Sequence, residues 1–248
     1  MTSLLQSRSI NIIVFNLQAA DKEERRLLEI MADEVVVLDF WASPFAMRVK
    51  LALSEKGITY ECKPQDLLNK GPLLLQANPV HKKIPVLIHN GRSICESLII
   101  VRYIDEVWTH VSPLLPSDPY QRSQALFWAD YIEKQVYDLG KRVYVAQEDQ
   151  AEAKEKLIQC LKTLETELGD KPYFGGDGIG FVDVALLPFT TWFYTYERSG
   201  NFSIQESCPK LIAWVERCRQ KQSVSDALPH PHKIYDFYLL FKEALGVK

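Results

Sequence analysis

The chain has 248 residues, of which 47% are hydrophobic, 25% are charged and 11% are aromatic. This composition is typical of a folded globular protein and excludes disordered and fibrous classes. Lysine and arginine together number 29, against 32 for aspartate and glutamate, which gives a net charge of −3. Because there is no excess of positive charge, we expect no nucleic acid partner.

Five cysteines are widely spaced and form no C-x-x-C pair: Cys62, Cys95, Cys160, Cys208 and Cys218. An odd number without such pairs argues against a disulfide framework and against a zinc site. Free thiols indicate a reducing compartment, so we expect the protein in the cytosol. The long uncharged stretch at 184–196 is interrupted by Pro188 and is too short to span a bilayer, so no membrane association is expected.

The first 32 residues differ from the rest of the chain. An apolar run at 10–17 precedes a charged segment at 21–26, and Arg8 is the only charged residue before the run. A secretory signal is a weak interpretation, because no clear small-residue cleavage site follows the run. We favour a poorly ordered leader over 1–32, with the folded pattern beginning near Met31.

The pattern after the leader predicts a βαβ unit. A β-branched strand at 35–38 is followed by Ser43 and Pro44, which suit an N-cap and the first turn of a helix. Apolar residues then recur at helical spacing and indicate one buried face, and Gly57 suits a left-handed helix end. Alternation over 58–63 predicts the second strand.

A ββα unit follows. After a loop and short helix at 66–76, a strand at 84–88 and a return strand at 92–94 flank Asn90-Gly91, the sequence of a type I′ hairpin turn. A helix is predicted from Ser97 to Trp108. The proline-rich segment 112–119 then reads as an interdomain linker.

Helical periodicity dominates beyond Tyr120. The predicted helices cover 120–146, 150–168, 181–196, 209–220 and 233–245. Asp183 stands three residues after Gly180, where its carboxylate can accept hydrogen bonds from backbone N–H groups at a helix start. The predicted fold is therefore an α/β domain over 33–111, a linker at 112–119 and an all-helical domain over 120–248.

Four elements of the first domain could bind a ligand, and one of them is Lys70, whose ammonium could reach a carboxylate. Ser43 at a helix N-terminus suits an anion such as a thiolate, because the hydroxyl and the helix dipole both stabilise negative charge. Pro85 opens a strand, and a cis bond there would expose the backbone of Ile84 to an extended peptide. Glu96 and Ser97 suit an ammonium and a carboxylate. Each residue also has an ordinary structural interpretation when considered singly.

Four segments together resemble one family. They are 41–50 (WASPFAMRVK), 69–70 (NK), 78–87 (NPVHKKIPVL) and 95–97 (CES), and the likeness extends through the linker to IGFVD at 179–183. The chain resembles the plant tau-class glutathione transferases over about residues 33–245. The resemblance implies a thioredoxin-like βαβ-ββα domain followed by an all-helical domain.

The resemblance also implies function and site residues. It implies conjugation of the glutathione thiolate to hydrophobic electrophiles, with Ser43 as the catalytic residue, glutathione as a co-substrate, no permanently bound cofactor, and a homodimer. Glutathione would bind at Ser43, Lys70, Lys83, Ile84, Pro85, Glu96 and Ser97. The hydrophobic substrate would lie against Trp41 and Phe45, and Tyr137 and Lys141 match family positions that line this pocket. Further candidates, from their aromatic character rather than from the resemblance, are Trp192, Tyr235, Tyr238 and Phe241. Aromatic residues at helical spacing more often pack in a core.

Other functions are compatible with parts of this pattern. Thiol-disulfide exchange would need a cysteine where Ser43 stands, so it is disfavoured. A glutathione peroxidase side activity stays open, and so does a non-catalytic carrier of flavonoids, porphyrins or hormones. His230 and His232 could suggest a metal pair, but two histidines in a proline-bounded loop are more often surface residues.

Overall fold

The computed structural model describes residues 33–111, 113–145 and 148–244. The predicted leader at 1–32 lies outside the described residues. Four strands form one sheet: β1 (Val35–Asp39), β2 (Glu61–Pro64), β3 (Val86–His89) and β4 (Arg92–Cys95). The strand order is β2-β1-β3-β4, with β1 parallel to β2 and the other pairs antiparallel.

Three helices belong to the sheet-containing half: α1 (Pro44–Glu55), α2 (Pro72–Ala77) and α3 (Ser97–Val107). The described part of the second half contains helices α4 (Pro119–Val145), α5 (Gln150–Leu168), α6 (Phe181–Thr190), α7 (Phe193–Gly200), α8 (Ile204–Ser207), α9 (Pro209–Arg219), α10 (Gln222–Ala227) and α11 (Pro231–Ala244). The predicted fold class, a thioredoxin-like unit followed by helices, is confirmed. None of the described helices is long and apolar enough to cross a membrane.

The residues predicted to begin and end α1 have the predicted roles. Ser43 is the N-cap and its Oγ accepts a hydrogen bond from Ala46 N at 3.3 Å, while Gly57 adopts a φ of +67°. The expectation of a single buried face is wrong, because eight of the twelve residues of α1 are buried. Helix α1 is covered by α3 of its own half and by α6 and α10 of the helical half. It therefore lies at the junction of the two halves.

Two predicted boundaries need correction. Strand β2 begins at Glu61 rather than at 58, because Ile58 N donates to Leu53 O at 2.9 Å and is used to end α1. The helix predicted over 181–196 is two helices, α6 and α7. Thr191 N and Trp192 N bond to carbonyls three residues earlier, at Pro188 and Phe189, and this tighter turn interrupts the α-helical pattern.

The hairpin turn is confirmed, since Asn90 and Gly91 have φ values of +50° and +76°. The proline-rich linker is anchored to the fold. Asp105 accepts hydrogen bonds from Leu114 N at 2.7 Å and Leu115 N at 3.0 Å, and it forms a buried ion pair with Lys56 at 2.7 Å. This carboxylate therefore joins α1, α3 and the linker.

Asp183 stabilises the start of α6 as predicted, and it also binds a neighbouring loop and α9. Its carboxylate accepts hydrogen bonds from the backbone N–H groups of Phe174, Gly175 and Gly180 at 2.8–3.0 Å, and from Trp214 Nε1 at 2.7 Å. Burial raises the pKa of this carboxyl, and the four donors act in the opposite direction by stabilising the carboxylate. The group thus ties a loop, α6 and α9 together.

Replacing Asp183 with alanine should leave four donors without an acceptor, and two of them, Gly180 N and Trp214 Nε1, are buried. We expect the free energy of unfolding to fall by about 3 kcal/mol or more. Urea unfolding followed by circular dichroism measures the loss. Asp177→Ala, an exposed carboxylate in the same loop, is the matched control. Equal stability of the two variants would contradict this account of Asp183.

Candidate active site

The pairing register brings the predicted ligand-binding segments to one end of the sheet. Asp39, the last residue of β1, pairs with Pro64, the last residue of β2. At the same end Leu38 pairs with Val86, which in turn pairs with Cys95. The loops that leave β1, β2 and β4 and the one that enters β3 therefore converge there. These loops carry Ser43, Lys70, Lys83-Ile84-Pro85 and Glu96-Ser97.

Ser43 is 8% exposed and keeps its hydroxyl hydrogen for a ligand. Its Oγ accepts from Ala46 N, and its carbonyl accepts from Met47 N at 3.0 Å. Pro44 has no N–H, so Phe45 N–H is the remaining donor of the first helical turn. The O–H of Ser43 and the N–H of Phe45 can both donate to an anion placed at this helix end.

Ser97 is the first residue of α3 and is also buried. Its Oγ accepts a hydrogen bond from Arg48 Nη1 at 3.0 Å. Because the guanidinium has no acceptor, the hydroxyl hydrogen of Ser97 is free to point to another group. Ser97 therefore suits a carboxylate ligand.

Arg48 is fully buried and is itself held by both halves of the protein. Its Nε donates to Ala185 O in α6 at 2.9 Å, and its Nη1 forms an ion pair with Glu133 in α4. The guanidinium carbon lies 5.4 Å from the ring centre of Phe45 and 4.9 Å from that of Phe189. The orientation of Ser97 thus depends on contacts to the helical half.

Glu96 has a backbone conformation that a side chain rarely adopts, with a φ of +69°. Such strain is concentrated at functional sites. Its carboxylate is about half exposed and lies 3.9 Å from His81 Nε2. The sequence predicted Glu96 as a ligand-binding residue, but it contained no signal for this backbone conformation.

The remaining predicted residues flank the same end of the sheet. The Ile84–Pro85 peptide bond is cis, and Pro85 is buried. Lys83 is exposed, and its carbonyl accepts from Asn78 Nδ2 at 2.9 Å. Lys70 is exposed at the end of a turn in which Asp66 Oδ1 accepts from Leu68 N and Asn69 N. Both lysines carry positive charge next to the convergent loops.

A cavity of about 470 Å³ adjoins Ser43 and is lined by both halves. Of the predicted apolar residues, Phe45, Tyr137, Trp192, Tyr238 and Phe241 line it. Lining residues that the sequence analysis missed include Phe40, Leu67, Leu68, Tyr144, Tyr196 and Phe237. Tyr144 follows Tyr137 by two helical turns, so helical periodicity could have indicated it.

Trp41, Lys141 and Tyr235 do not line this cavity. Trp41 packs edge-on against Phe237, with ring centres 5.4 Å apart, and Lys233 Nζ lies 4.8 Å from its ring centre. Trp41 therefore packs against α11 outside the cavity lining. Lys141 is exposed on α4. Tyr235 packs on Tyr194 and Tyr238.

Neither histidine of the proposed metal pair is buried, and His230 and His232 contact each other through their rings. Among the described residues, no group of three or more His, Cys, Asp or Glu side chains is arranged to hold a metal ion. The five cysteines are all free thiols.

The surroundings of Cys62 and Cys95 raise the pKa of both thiols. Burial and the neighbouring Asp39 raise the pKa of Cys62, the exposed cysteine, to about 11. Burial and Glu96 raise the pKa of Cys95, which stands next to the convergent loops. Raised pKa values lower the thiolate fraction at neutral pH, so a protein thiol is unsuited to thiol-disulfide exchange here.

Iodoacetamide should therefore alkylate Cys62 in the native protein roughly a hundredfold more slowly than free cysteine at pH 7. The rate should rise about tenfold per pH unit up to the raised pKa, because only the thiolate reacts. Mass spectrometry of timed samples measures both quantities, with the urea-unfolded protein as the control. A native rate equal to that of the unfolded protein would contradict the raised pKa.

Comparison with known proteins agrees with this geometry. The protein-family model of the glutathione S-transferase N-terminal domain matches residues 34–106. The family model of the C-terminal domain matches residues 147–217. A Nicotiana tabacum protein named "Probable glutathione S-transferase parA" is 61% identical over 217 residues, covering 87% of this chain and 99% of the relative.

Solved structures agree as well. The crystal structure of rice GST1 in complex with glutathione has a TM-score of 0.83 and 48% identity, covering 86% of this chain and 97% of that one. A tau-class glutathione S-transferase from mango, Mangifera indica, has a TM-score of 0.80 and 39% identity, covering 84% and 98%. The chain therefore belongs to the glutathione S-transferase family, and it is similar to plant members of the tau class.

Proposed function

We propose that this protein is a glutathione transferase that conjugates the thiolate of glutathione to hydrophobic electrophiles. The observation that carries the proposal is the position of Ser43. Its hydroxyl stands at the N-terminus of α1 and lines the same cavity as the aromatic residues of the helical half. One small space thus combines a site for an anion with a site for an apolar molecule.

Ser43 is proposed to activate the thiol. Its hydroxyl hydrogen and the N–H of Phe45 stabilise a thiolate and not the neutral thiol, so they lower the pKa of bound glutathione. The sulfur lone pair then attacks the electrophilic carbon held in the cavity. Holding both reactants in one site replaces a bimolecular encounter by a reaction within the complex.

The convergent loops are proposed to bind the rest of glutathione, which has an ammonium and two carboxylates around its thiol. Ser97 donates to the γ-glutamyl carboxylate, and Glu96 accepts from the adjacent ammonium. Ile84 pairs its backbone with the cysteinyl unit, with Pro85 supporting it. Lys70 and Lys83 supply positive charge for the glycyl carboxylate.

The electrophile is proposed to lie against the aromatic lining. Phe45, Tyr137, Trp192 and Tyr238 accept flat apolar molecules without fixed hydrogen bonds. Residues 33–111 would then be the glutathione-binding domain and 120–248 the electrophile-binding domain. A peroxidase side activity would use the same thiolate. A purely non-catalytic carrier is disfavoured, because a carrier needs no thiol-activating group in its cavity.

We also propose a cytosolic homodimer. The five free thiols suit a reducing compartment. Large apolar side chains on α3 and α4 are exposed in the single chain, and a second copy would cover them. They are Ile99, Val107, Tyr120 and Phe127.

Replacing Ser43 with alanine should lower kcat/KM for chlorodinitrobenzene by about a hundredfold or more, because the thiolate loses a donor. The variant also loses its helix cap, which costs about 1 kcal/mol of stability. Ser203→Ala is the matched control, since Ser203 caps α8 by accepting from Glu206 N at 3.1 Å and is not among the cavity-lining residues.

Comparing Ser43→Ala with Ser203→Ala separates the loss of a catalytic hydroxyl from the loss of a helix cap. Initial rates between pH 5.5 and 8.5 measure conjugation, and thermal unfolding measures stability. Wild-type and Ser203→Ala rates should rise through an apparent pKa below that of free glutathione. Full activity of Ser43→Ala would overturn the proposed role of its hydroxyl.

Replacing Ser97 with alanine should raise the KM for glutathione by about tenfold, since one charge-assisted hydrogen bond is lost. The KM for the electrophile should not change. Ser93→Ala, an exposed serine on β4, is the control. Steady-state kinetics with each substrate varied in turn measure both constants. An unchanged KM for glutathione would argue against the proposed carboxylate contact.

A further inference from the structure

Gly140 lies within α4, on the side of the helix that borders the cavity. Tyr137 precedes it by three residues and Tyr144 follows it by four, and both line the cavity. Residues at these spacings share one face of a helix, so a side chain at 140 would point to the same side as theirs. The ring of Tyr196, which belongs to α7 and also lines the cavity, occupies this place instead.

The Tyr196 ring can lie against α4 because position 140 has no side chain. A β-carbon there would lie 2.5 Å from Cζ of Tyr196, 2.6 Å from its hydroxyl oxygen and 2.8 Å from Cε2. Such distances are too short for a real β-carbon. An alanine at 140 would therefore force the ring to retreat from α4 by about 1 Å before the two groups reached ordinary van der Waals distance.

The displaced ring has one direction open to it. The Tyr196 side chain is almost fully buried, and a close-packed interior has no gap that could take a ring. Its ring is parallel to that of Tyr144, with ring centres 6.0 Å apart, and its centre lies 6.2 Å from that of Phe193. In the part of the chain that the structure describes, the free volume next to Tyr196 is the cavity of about 470 Å³. Retreat from α4 would therefore narrow the cavity.

We propose that Gly140 is a specificity-determining residue, because its missing side chain sets the width of the cavity at Tyr196. The inference rests on the proposed function and adds a substrate class to it. A cavity of this volume lies in the range of pockets that enclose drug-sized ligands, so it has room for an electrophile with two fused aromatic rings. Such a molecule uses the width that Gly140 preserves, whereas a single ring does not need it.

The test compares phenyl isothiocyanate with 1-naphthyl isothiocyanate, which carries one more fused ring on the same reacting group. With both compounds the glutathione sulfur bonds to the central carbon, the π electrons of the C=N bond move to nitrogen, and nitrogen takes a proton from water. In Gly140→Ala the ratio of kcat/KM for the naphthyl compound to kcat/KM for the phenyl compound should fall by about tenfold, as expected for a small misfit in an apolar pocket. The KM for glutathione should not change.

Gly200→Ala is the matched control. A β-carbon at 200, the last residue of α7, would lie 2.9 Å from the ring of Phe202 and 3.0 Å from the side chain of Val143 in α4. The substitution is therefore the same and crowds the same pair of helices. Neither Phe202 nor Val143 is among the cavity-lining residues, so the ratio should stay within about twofold of the wild-type ratio.

Two variants of Tyr196 test the same contact from the other side. Leucine lacks the three ring and hydroxyl atoms that a β-carbon at 140 would meet. Gly140→Ala/Tyr196→Leu should therefore recover a ratio within about threefold of the wild-type ratio. Tyr196→Leu alone should raise the ratio by about threefold, because it widens the cavity. These two variants decide the question if circular dichroism shows that Gly140→Ala does not fold.

The outcomes separate the inference from the proposed function. An unchanged ratio in Gly140→Ala, an equal fall in Gly200→Ala, or no recovery in the double variant would each overturn the inference and leave glutathione conjugation intact. A wild-type protein that conjugates chlorodinitrobenzene or the phenyl compound but not the naphthyl compound would also overturn it, since the cavity would not admit fused rings. A wild-type protein that conjugates none of the three overturns the proposed function itself.

Discussion

A buried guanidinium links the two halves of this protein. Arg48 belongs to α1, yet its partners lie on α3, α4 and α6. Burying a charge is costly unless it is paired and hydrogen-bonded, so this arrangement is stable only when both halves are present and correctly placed. The same guanidinium orients Ser97. One side chain therefore contributes both to the contact between the halves and to the geometry of the proposed glutathione site.

The helical half supplies most of the aromatic rings that line the cavity. The loops at the end of the sheet supply polar groups and backbone, whereas α4, α7 and α11 supply rings. Gly140 shows how closely these elements must approach, since any side chain there would move Tyr196. The cavity takes its shape from helix packing, and its proposed reactive end lies at the N-terminus of α1.

Much of the sheet-containing half could be predicted because its signals are local. Ser43-Pro44, Gly57 and Asn90-Gly91 each specify a backbone conformation within a few residues. Their convergence followed from the order of strands. The interruption between α6 and α7 was not predicted, because apolar residues continue across it and the tight turn at Thr191 and Trp192 depends on tertiary packing.

The cavity lining was predicted only in part, for a related reason. Helical spacing identifies which residues share a face with Tyr137, but it does not identify the partner that faces them. Tyr196 is far from Gly140 in sequence, and their contact exists only after α7 packs on α4. Trp41 shows the opposite error: it neighbours Ser43 in sequence, but it packs beneath α11.

The anchored linker limits how the cavity can adapt to ligands of different shape. The carboxylate of Asp105 is bonded to Lys56 and to the backbone of Leu114 and Leu115, so the connection between the halves offers little freedom for hinge rotation. Opening of the cavity by rigid-body movement would break buried, charge-assisted contacts. Adjustment to molecules of different shape must come instead from rotamer changes at the cavity mouth, where Leu67, Leu68 and Phe241 are exposed. Binding of ligands with different shapes would then reduce the side-chain entropy at the cavity mouth. The arrangement of the two halves would not change.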